Sequence, residues 1–238
     1  MNQICLYMIV LVLSLPTLVA AASPSPELLK RGAQLYDNWF ALAGEQPTET
    51  HSIYPEVGQK QGAVTWRCQE CHGWDYLGNQ GRYAEGPHYT GIKGVRGVRN
   101  WSQEGLKKLL GPKGRHDFTA QLSRDDIVAL TLFLRTGLVD ARKAIDGEGL
   151  ARGSSELGKP LYEAQCAACH GAEGQKLELK PEKEGVQGVG WLARDNPQET
   201  LHKILWGQPG SAMPSMRVDA GLSFEQVVDL LTYSQQLP

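Results

Sequence analysis

The sequence predicts a helical protein built from two similar units in tandem. Its 238 residues exceed the usual domain length of about 100–150 residues and are too few for three domains. Capped segments with helical periodicity occur in the same order in both halves, and no stretch shows a persuasive strand pattern. Length, repetition and periodicity therefore agree on two small helical domains.

Composition and charge narrow the class of protein. Apolar residues make up 41% and charged residues 21% of the chain, as in a globular rather than a disordered protein. The formal net charge is -2, which leaves no strongly basic face, so we expect no nucleic-acid partner.

Residues 1–22 are expected to form a signal peptide. Apolar residues run nearly unbroken over 6–19, and a run of alanines then offers a small-residue cleavage site. The apolar run is short and interrupted for a membrane span of about 20 residues. An uncleaved membrane anchor is the alternative, because no Lys or Arg precedes the run. Cleavage would remove Cys5 and leave a periplasmic protein.

The first helix of each unit shares a Gly-x-x-Leu-Tyr pattern, at residues 32–36 and 158–162. In the second copy this helix runs directly into Cys166. In the first copy an inserted loop, over about residues 44–62, follows the helix and contains proline and glycine as helix breakers.

Later helices also match between the copies. Helices are predicted to begin at Asn100 and Asn196 and to end at a glycine, because Asn is a favoured N-cap and Gly suits a C-terminal stop. Ser123 and Ser223 are predicted to cap the last helix of each copy, whose apolar residues recur at helical spacing.

The domain boundaries follow from these repeats. Residues 141–154 are rich in charge, Gly and Ser and are interpreted as a linker. The first domain then covers residues 23–140 and the second covers residues 155–238.

Each unit contains one Cys-x-x-Cys-His sequence. Two thiols at this spacing can each form a thioether with a vinyl group of one haem, and the following His can then reach the iron. Thiolate zinc sites, redox-active disulfides and chance are the alternatives. Two copies, each followed by Gly and set between matching helices, favour haem attachment. The residues assigned to attachment are Cys68, Cys71, Cys166 and Cys169, with His72 and His170 as iron ligands.

The order helix, Cys-x-x-Cys-His-Gly, glycine-rich loop, short helix, Met-Pro and terminal helix resembles the class I c-type cytochromes. The second half matches throughout, whereas the first departs in its inserted loop and its lack of Met-Pro. The resemblance covers nearly all of residues 23–238 and is that of a tandem dihaem cytochrome. It implies an all-α fold of two tandem class I cytochrome c-like domains, each wrapping one covalently attached haem c.

The sixth iron ligands are expected to differ between the two haems. Met213, followed by Pro214, looks like the family's distal Met, and Met216 is the runner-up. The first domain contains no Met. Counting from the matching Asn residues puts His116 within one residue of the position of Met213, so His116 is the predicted ligand opposite His72. The runner-up in the first domain is His88, and His51 in the inserted loop is a more distant alternative.

Ligand type predicts the direction of electron flow. Met/His ligation raises the potential of a haem, so the second haem should be the more oxidising and electrons should run to it from the first. Aromatic residues expected to pack on the haems are Tyr83, Trp74, Tyr76 and Trp101 for the first, and Trp191 and Trp206 for the second.

Electron transfer is the predicted function. The chain would be a periplasmic dihaem cytochrome, acting as a shuttle or as the cytochrome subunit of an oxidoreductase, with redox proteins as partners. A membrane is involved only if the N-terminal segment stays uncleaved. The alternative is a dihaem enzyme, of the peroxidase or sulfur-compound dehydrogenase type, acting at the first haem under the long inserted loop. No catalytic residue is assigned.

Overall fold

The computed structural model describes residues 24–43, 45–179 and 185–238. Over these ranges the chain is helical and contains no β-strand, only two isolated β-bridges. The predicted helical class is confirmed. The predicted signal peptide, residues 1–22, lies outside the described residues. Within the described ranges, no helix has the length and apolar character needed to cross a membrane.

Ten α-helices follow one another along the described chain, five in each half. Those of the first half are α1 (Pro26–Asn38), α2 (Phe40–Ala43), α3 (Cys68–His72), α4 (Gln103–Leu110) and α5 (Arg124–Leu132). Those of the second half are α6 (Ser155–Gln165), α7 (Ala167–His170), α8 (Val189–Asp195), α9 (Pro197–Trp206) and α10 (Phe224–Ser234). Shorter helical turns cover Gly62–Trp66, Arg82–Ala84, Arg96–Asn100, Phe133–Gly137 and Ala141–Lys143.

The caps explain where the later helices begin. Ser123 and Ser223 each form a capping box, in which the hydroxyl accepts a hydrogen bond from the third backbone N–H of the helix. Asn196 caps α9 by accepting from the backbone N–H of Glu199 at 3.2 Å. These three helices begin where their caps predict.

Helix α4 begins later than its sequence suggests. The hydroxyl of Ser102 accepts from the backbone N–H of Gly105 at 3.0 Å, so Ser102 is the N-cap. Asn100 instead ends the preceding helical turn. The prediction of a helix start at Asn100 is wrong, because the serine two residues later satisfies the free N–H groups of the first turn.

The first and last helices of each half cross at a glycine. A Cβ atom on Gly32 of α1 would lie 2.2 Å from the carbonyl oxygen of Ala129 in α5. A Cβ atom on Gly158 of α6 would lie 2.0 Å from the carbonyl oxygen of Asp229 in α10. The glycine that repeats in the sequence is therefore the residue that allows two helix backbones to touch.

The segment interpreted as a linker is held against the last helix. The backbone N–H of Ala151 donates to the side chain of Gln235, and that of Ser154 donates to the carboxylate of Asp229, at 2.8 and 2.7 Å. The end of this segment, residues 149–154, is therefore bound to α10 and its C-cap.

The two halves also meet directly, where α9 packs on α1. The Nε2–H of His202 donates to the carbonyl oxygen of Ala33 at 3.1 Å. Because a carbonyl only accepts, Nδ1 carries no proton and accepts from the Tyr76 hydroxyl at 2.9 Å. Burial lowers the pKa of His202 to about 4, so this imidazole is neutral. His202 therefore joins the two halves.

Filling the glycine crossing should destabilise the protein. We expect Gly158→Ala to lower the free energy of unfolding by about 1–3 kcal/mol, because the methyl group must push the backbone of α10 away. Thermal unfolding would measure the loss. Gly97→Ala is the matched control, since a Cβ atom there meets nothing within 4 Å. Equal stability of the two variants would contradict the close crossing.

Candidate functional site

The first Cys-x-x-Cys-His motif forms the single-turn helix α3. The Nδ1 atom of His72 lies 2.7 Å from the carbonyl oxygen of Lys93. A carbonyl oxygen can only accept, so Nδ1 carries the proton and Nε2 keeps its lone pair. Burial lowers the pKa of His72 to about 4. A neutral imidazole oriented by a backbone carbonyl is the usual state of a metal-binding histidine.

The second motif has the same local structure. Helix α7 ends at His170 and is followed by Gly171 with φ 81°, just as α3 is followed by Gly73 with φ 79°. Burial lowers the pKa of His170. Its Nδ1 atom is buried and has no hydrogen-bond partner among the described residues.

A tyrosine from the first helix of each half holds its motif. The hydroxyl of Tyr36 in α1 donates to the carbonyl oxygen of Gly73 at 2.7 Å. The hydroxyl of Tyr162 in α6 donates to the carbonyl oxygen of Gly171 at 3.0 Å. The repeated Gly-x-x-Leu-Tyr pattern thus supplies both the helix crossing and the bond that fixes the turn after each motif.

A cavity of about 540 Å³ opens beside the second motif, and we call it the C-terminal cavity. Its walls include Cys166, Cys169 and His170 of the motif together with Met213 and Met216. Both methionines line it, Met213 partly exposed and Met216 only 3% exposed within the core. The volume lies within the range of about 300–1,000 Å³ that holds small ligands and cofactors.

A smaller cavity of about 150 Å³, the N-terminal cavity, lies beside the first motif. Cys68, Cys71 and His72 line it together with His116. The ring centroids of His72 and His116 are 6.0 Å apart. Metal–imidazole bonds are about 2.0–2.1 Å long, so two imidazoles that share one metal ion have centroids roughly 6 Å apart. The spacing of these two rings therefore fits a single ion between them.

The loop after α4 carries His116 to this position. The backbone N–H of His116 donates to the carbonyl oxygen of Leu109 at 3.1 Å. The carboxylate of Asp117 accepts from the backbone N–H groups of Lys113 and Thr119, which closes the loop. Burial, followed by the charge of Arg115, lowers the pKa of His116, and its Nδ1 atom has no partner among the described residues.

The two other histidines considered for the first site lie in different places. The Nδ1 atom of His88 is 2.9 Å from the Glu70 carboxylate, its ring stacks on Tyr83, and it does not line the N-terminal cavity. His51, from the inserted loop, does line the cavity and packs on Trp66 with ring centroids 4.0 Å apart. In the sequence, the position of His51 in a long loop is the only indication that this residue reaches the cavity.

The aromatic residues expected beside the haems do not line either cavity. Trp74 and Tyr76 lie instead at the contact between the halves, where both pack against His202. The aromatic wall of the N-terminal cavity comes from Tyr36, Trp66 and Phe118, together with Tyr54 of the inserted loop. Local sequence could not distinguish these positions, because the contacts join segments far apart in the chain.

The state of the cysteines bears on the alternative chemistries. Cys68, Cys71, Cys166 and Cys169 form no disulfide. Burial raises the pKa of Cys68 and Cys71 to about 12, the opposite of what a redox-active thiol requires. Within the described ranges no cluster of three or more His, Cys, Asp or Glu could hold a metal ion. Paired neutral thiols next to a free imidazole nitrogen, facing a cavity, fit a covalently attached haem.

Comparison with known proteins identifies the class to which the second half belongs. The cytochrome c family matches residues 155–238. These residues are therefore a cytochrome c domain, which implies a covalently bound haem c with its iron.

Among individual proteins, the cytochrome c subunit of gluconate 2-dehydrogenase from Pantoea cypripedii is 27% identical over 161 residues. The alignment covers 56% of this chain and 35% of that protein, so the chain spans about a third of its relative's length.

Two solved structures show weaker similarity. Cytochrome cL from Hyphomicrobium denitrificans is 20% identical, with 56% of this chain and 64% of that chain covered and a TM-score of 0.27. Thiosulfate dehydrogenase from Marichromatium purpuratum is 16% identical, with 92% and 48% covered and a TM-score of 0.20. At such TM-scores neither defines the arrangement of this chain.

Removing the hydroxyl that holds the first motif should weaken the fold. We expect Tyr36→Phe to cost about 0.5–1.5 kcal/mol of unfolding free energy, because the carbonyl of Gly73 loses one of its two hydrogen bonds and keeps the one from the backbone N–H of Tyr76. Denaturant unfolding would measure the change. Tyr89→Phe serves as the control, since Tyr89 is 36% exposed. A Tyr36→Phe variant as stable as the control would disprove the role of this bond.

Proposed function

We propose that the chain is a periplasmic dihaem c-type cytochrome that passes electrons between redox partners. It would act as a shuttle or as the cytochrome subunit of an oxidoreductase. The cytochrome c domain at residues 155–238 and the similarity to a dehydrogenase's cytochrome c subunit support electron transfer in general. The apolar run of the N-terminal segment supports export.

The equivalence of the two halves supports a second haem. Each half has a glycine crossing, a tyrosine bonded to the glycine after its motif, and a cavity lined by both cysteines and the histidine of that motif. The second half is a cytochrome c domain. The same contacts in the first half support haem binding there as well, and therefore a tandem pair of class I domains.

We assign the haem contacts residue by residue. Cys68 and Cys71 would hold the first haem, with His72 and His116 as its axial ligands. Cys166 and Cys169 would hold the second, with His170 and Met213. A bound haem supplies a one-electron couple at its iron. The chain would supply both protein ligands of each iron, which would leave no iron position free for a substrate.

A single residue carries the argument for transfer between the haems. Arg67, next to Cys68, lines both the N-terminal and the C-terminal cavity. The two cavities therefore share a lining residue. With Met/His ligation at the second haem raising its potential, electrons would enter at the first haem and leave from the second.

The alternative function is catalysis at the first haem. His51, Ile53 and Tyr54 of the inserted loop form part of the wall of the N-terminal cavity, so this loop shapes that haem's surroundings. An open iron position would be required, and carbon monoxide binding to the reduced protein would detect one. Absence of carbon monoxide binding favours the electron carrier.

The number of haems can be counted directly. We expect two covalent haems per chain in the exported protein, and one in each double variant, Cys68→Ala/Cys71→Ala and Cys166→Ala/Cys169→Ala, because each thiol pair attaches its own haem. Intact-protein mass and the pyridine haemochrome spectrum would measure the count. One haem in the unaltered protein, on either motif, would refute the dihaem proposal.

The sixth ligand of the first haem can be tested by spin state. We expect two low-spin signals in the electron paramagnetic resonance spectrum of the oxidised protein. His116→Ala should convert one to high spin, because that iron loses an axial nitrogen, and His116→Met should raise the lower midpoint potential. His88→Ala is the control and should keep both low-spin signals. Loss of a low-spin signal in the control, with none in His116→Ala, would transfer the role to His88.

A further inference from the structure

A buried cluster of three charged residues lies between the halves. The carboxylate of Asp37, at the end of α1, is fully buried and accepts from the Nη2–H of Arg67 at 2.6 Å. Its other oxygen pairs with the ammonium of Lys203 on α9. The side chains of Arg67 and Lys203 are only 21% and 10% exposed.

The charges within this cluster do not balance. Burial opposes ionisation of Asp37, but the neighbouring charges of Lys203 and Arg67 outweigh it and hold the pKa of Asp37 below its usual value. Two cations thus face one anion, and desolvated charge is costly unless it is paired. The hydrogen bonds of Arg67 use its Nε–H and one Nη2–H, and its Nη1 has no partner among the described residues.

The nearest additional carboxylate does not complete the cluster. Glu199 lies one turn before Lys203 on α9 and lines the same wall of the C-terminal cavity. Its Oε2 atom accepts from the side-chain amide of Asn196 at 3.0 Å, which ties it to the cap of its own helix. Glu199 and Lys203 form no ion pair within 4.0 Å among the described contacts.

The free donors of the cluster face a cavity that fits a haem. Arg67 and Lys203 both line the C-terminal cavity, and Asn38 of the first half lines it too. A haem carries two propionate carboxylates. A carboxylate accepts hydrogen bonds from Arg and Lys with strong charge assistance and would bring the excess positive charge to zero.

We propose that Arg67 and Lys203 together bind a propionate of the haem in the C-terminal cavity, so that the first half completes the haem pocket of the second. The inference deepens the proposed function, because it takes the C-terminal cavity to hold a haem. The second haem is the one concerned, since Lys203 and Asn38 line only the C-terminal cavity. Arg67 and Lys203 are positioning residues, bound to the haem's edge and not to its iron.

Lys203→Met tests the contact in the holoprotein. Asp37 keeps Arg67 as a counter-ion in this variant, so the buried carboxylate stays paired. We expect the propionate bending band of the second haem to shift to lower frequency in the resonance Raman spectrum, because a hydrogen bond is lost. The midpoint potential of the higher-potential haem should also fall, because removal of a nearby positive charge favours ferric iron.

The size of the shift can be estimated. If the charge removed from Lys203 lies about 12 Å from the iron, then at an effective dielectric constant of about 20 its loss changes the redox equilibrium of that iron by about tenfold. For one electron, tenfold corresponds to about 59 mV. Lys159→Met is the matched control, since it removes the same charge from the exposed surface of the same half, where the Lys159 side chain is 59% exposed. The control should change neither the band nor the potential.

A second variant guards against an effect of one substitution alone. Arg67→Gln leaves Asp37 paired with Lys203 and should shift the same propionate band. If both variants retain their haems and the band of the second haem is unchanged in each, the proposal is wrong while the dihaem function stands. A shift confined to the first haem's band also overturns it. A protein with a single haem on the second motif would refute the dihaem function, and the band would still decide this inference.

Discussion

The close crossing of the first and last helices in each half is the contact on which both cavities depend. At Gly32 and at Gly158 the absence of a side chain brings one helix backbone against the carbonyl oxygen of another. The tyrosine one turn further along each helix then reaches the carbonyl of the glycine that follows the Cys-x-x-Cys-His turn. The crossing therefore fixes the distance between the helix pair and the motif, and the space left between them is the cavity.

Much of this framework follows from local sequence, because caps act over a few residues and the pattern of the first helix repeats in both halves. Ser123, Asn196 and Ser223 mark helix starts, and the repeated glycine and tyrosine mark the first helix of each half. The surroundings of the cavities were harder to predict, because they join segments far apart in the chain. Nothing near Trp74 shows that it packs on His202 of the other half, and nothing near His51 shows that it reaches the N-terminal cavity. The placement of His116 beside His72 was predicted only by counting from the matching Asn residues and by the lack of a methionine.

The two halves have the same arrangement of first and last helices and differ in the segments that border their cavities. In the second half a methionine-containing loop borders a wide cavity, and in the first half an inserted loop and a histidine border a narrow one. The insertion adds residues to the wall of the cavity without altering the helix crossing. Residues 45–61 come later in the chain than the glycine and tyrosine of α1, which form the crossing and the bond to the motif. The same helix crossing therefore stands beside two cavities that are lined by different side chains.

The contact around His202 means that the repeat in the sequence is not a repeat of independent modules. The imidazole is neutral and buried only because Ala33, Tyr76 and Trp74 of the first half cover it. A second domain excised at residue 155 would expose this ring to water, leave Lys203 without its carboxylate partner, and open one wall of the cavity beside Cys166. The smallest piece of this chain that keeps either cavity in its native surroundings therefore contains both halves, and grafting the second half alone onto another protein would alter the cavity it was meant to transfer.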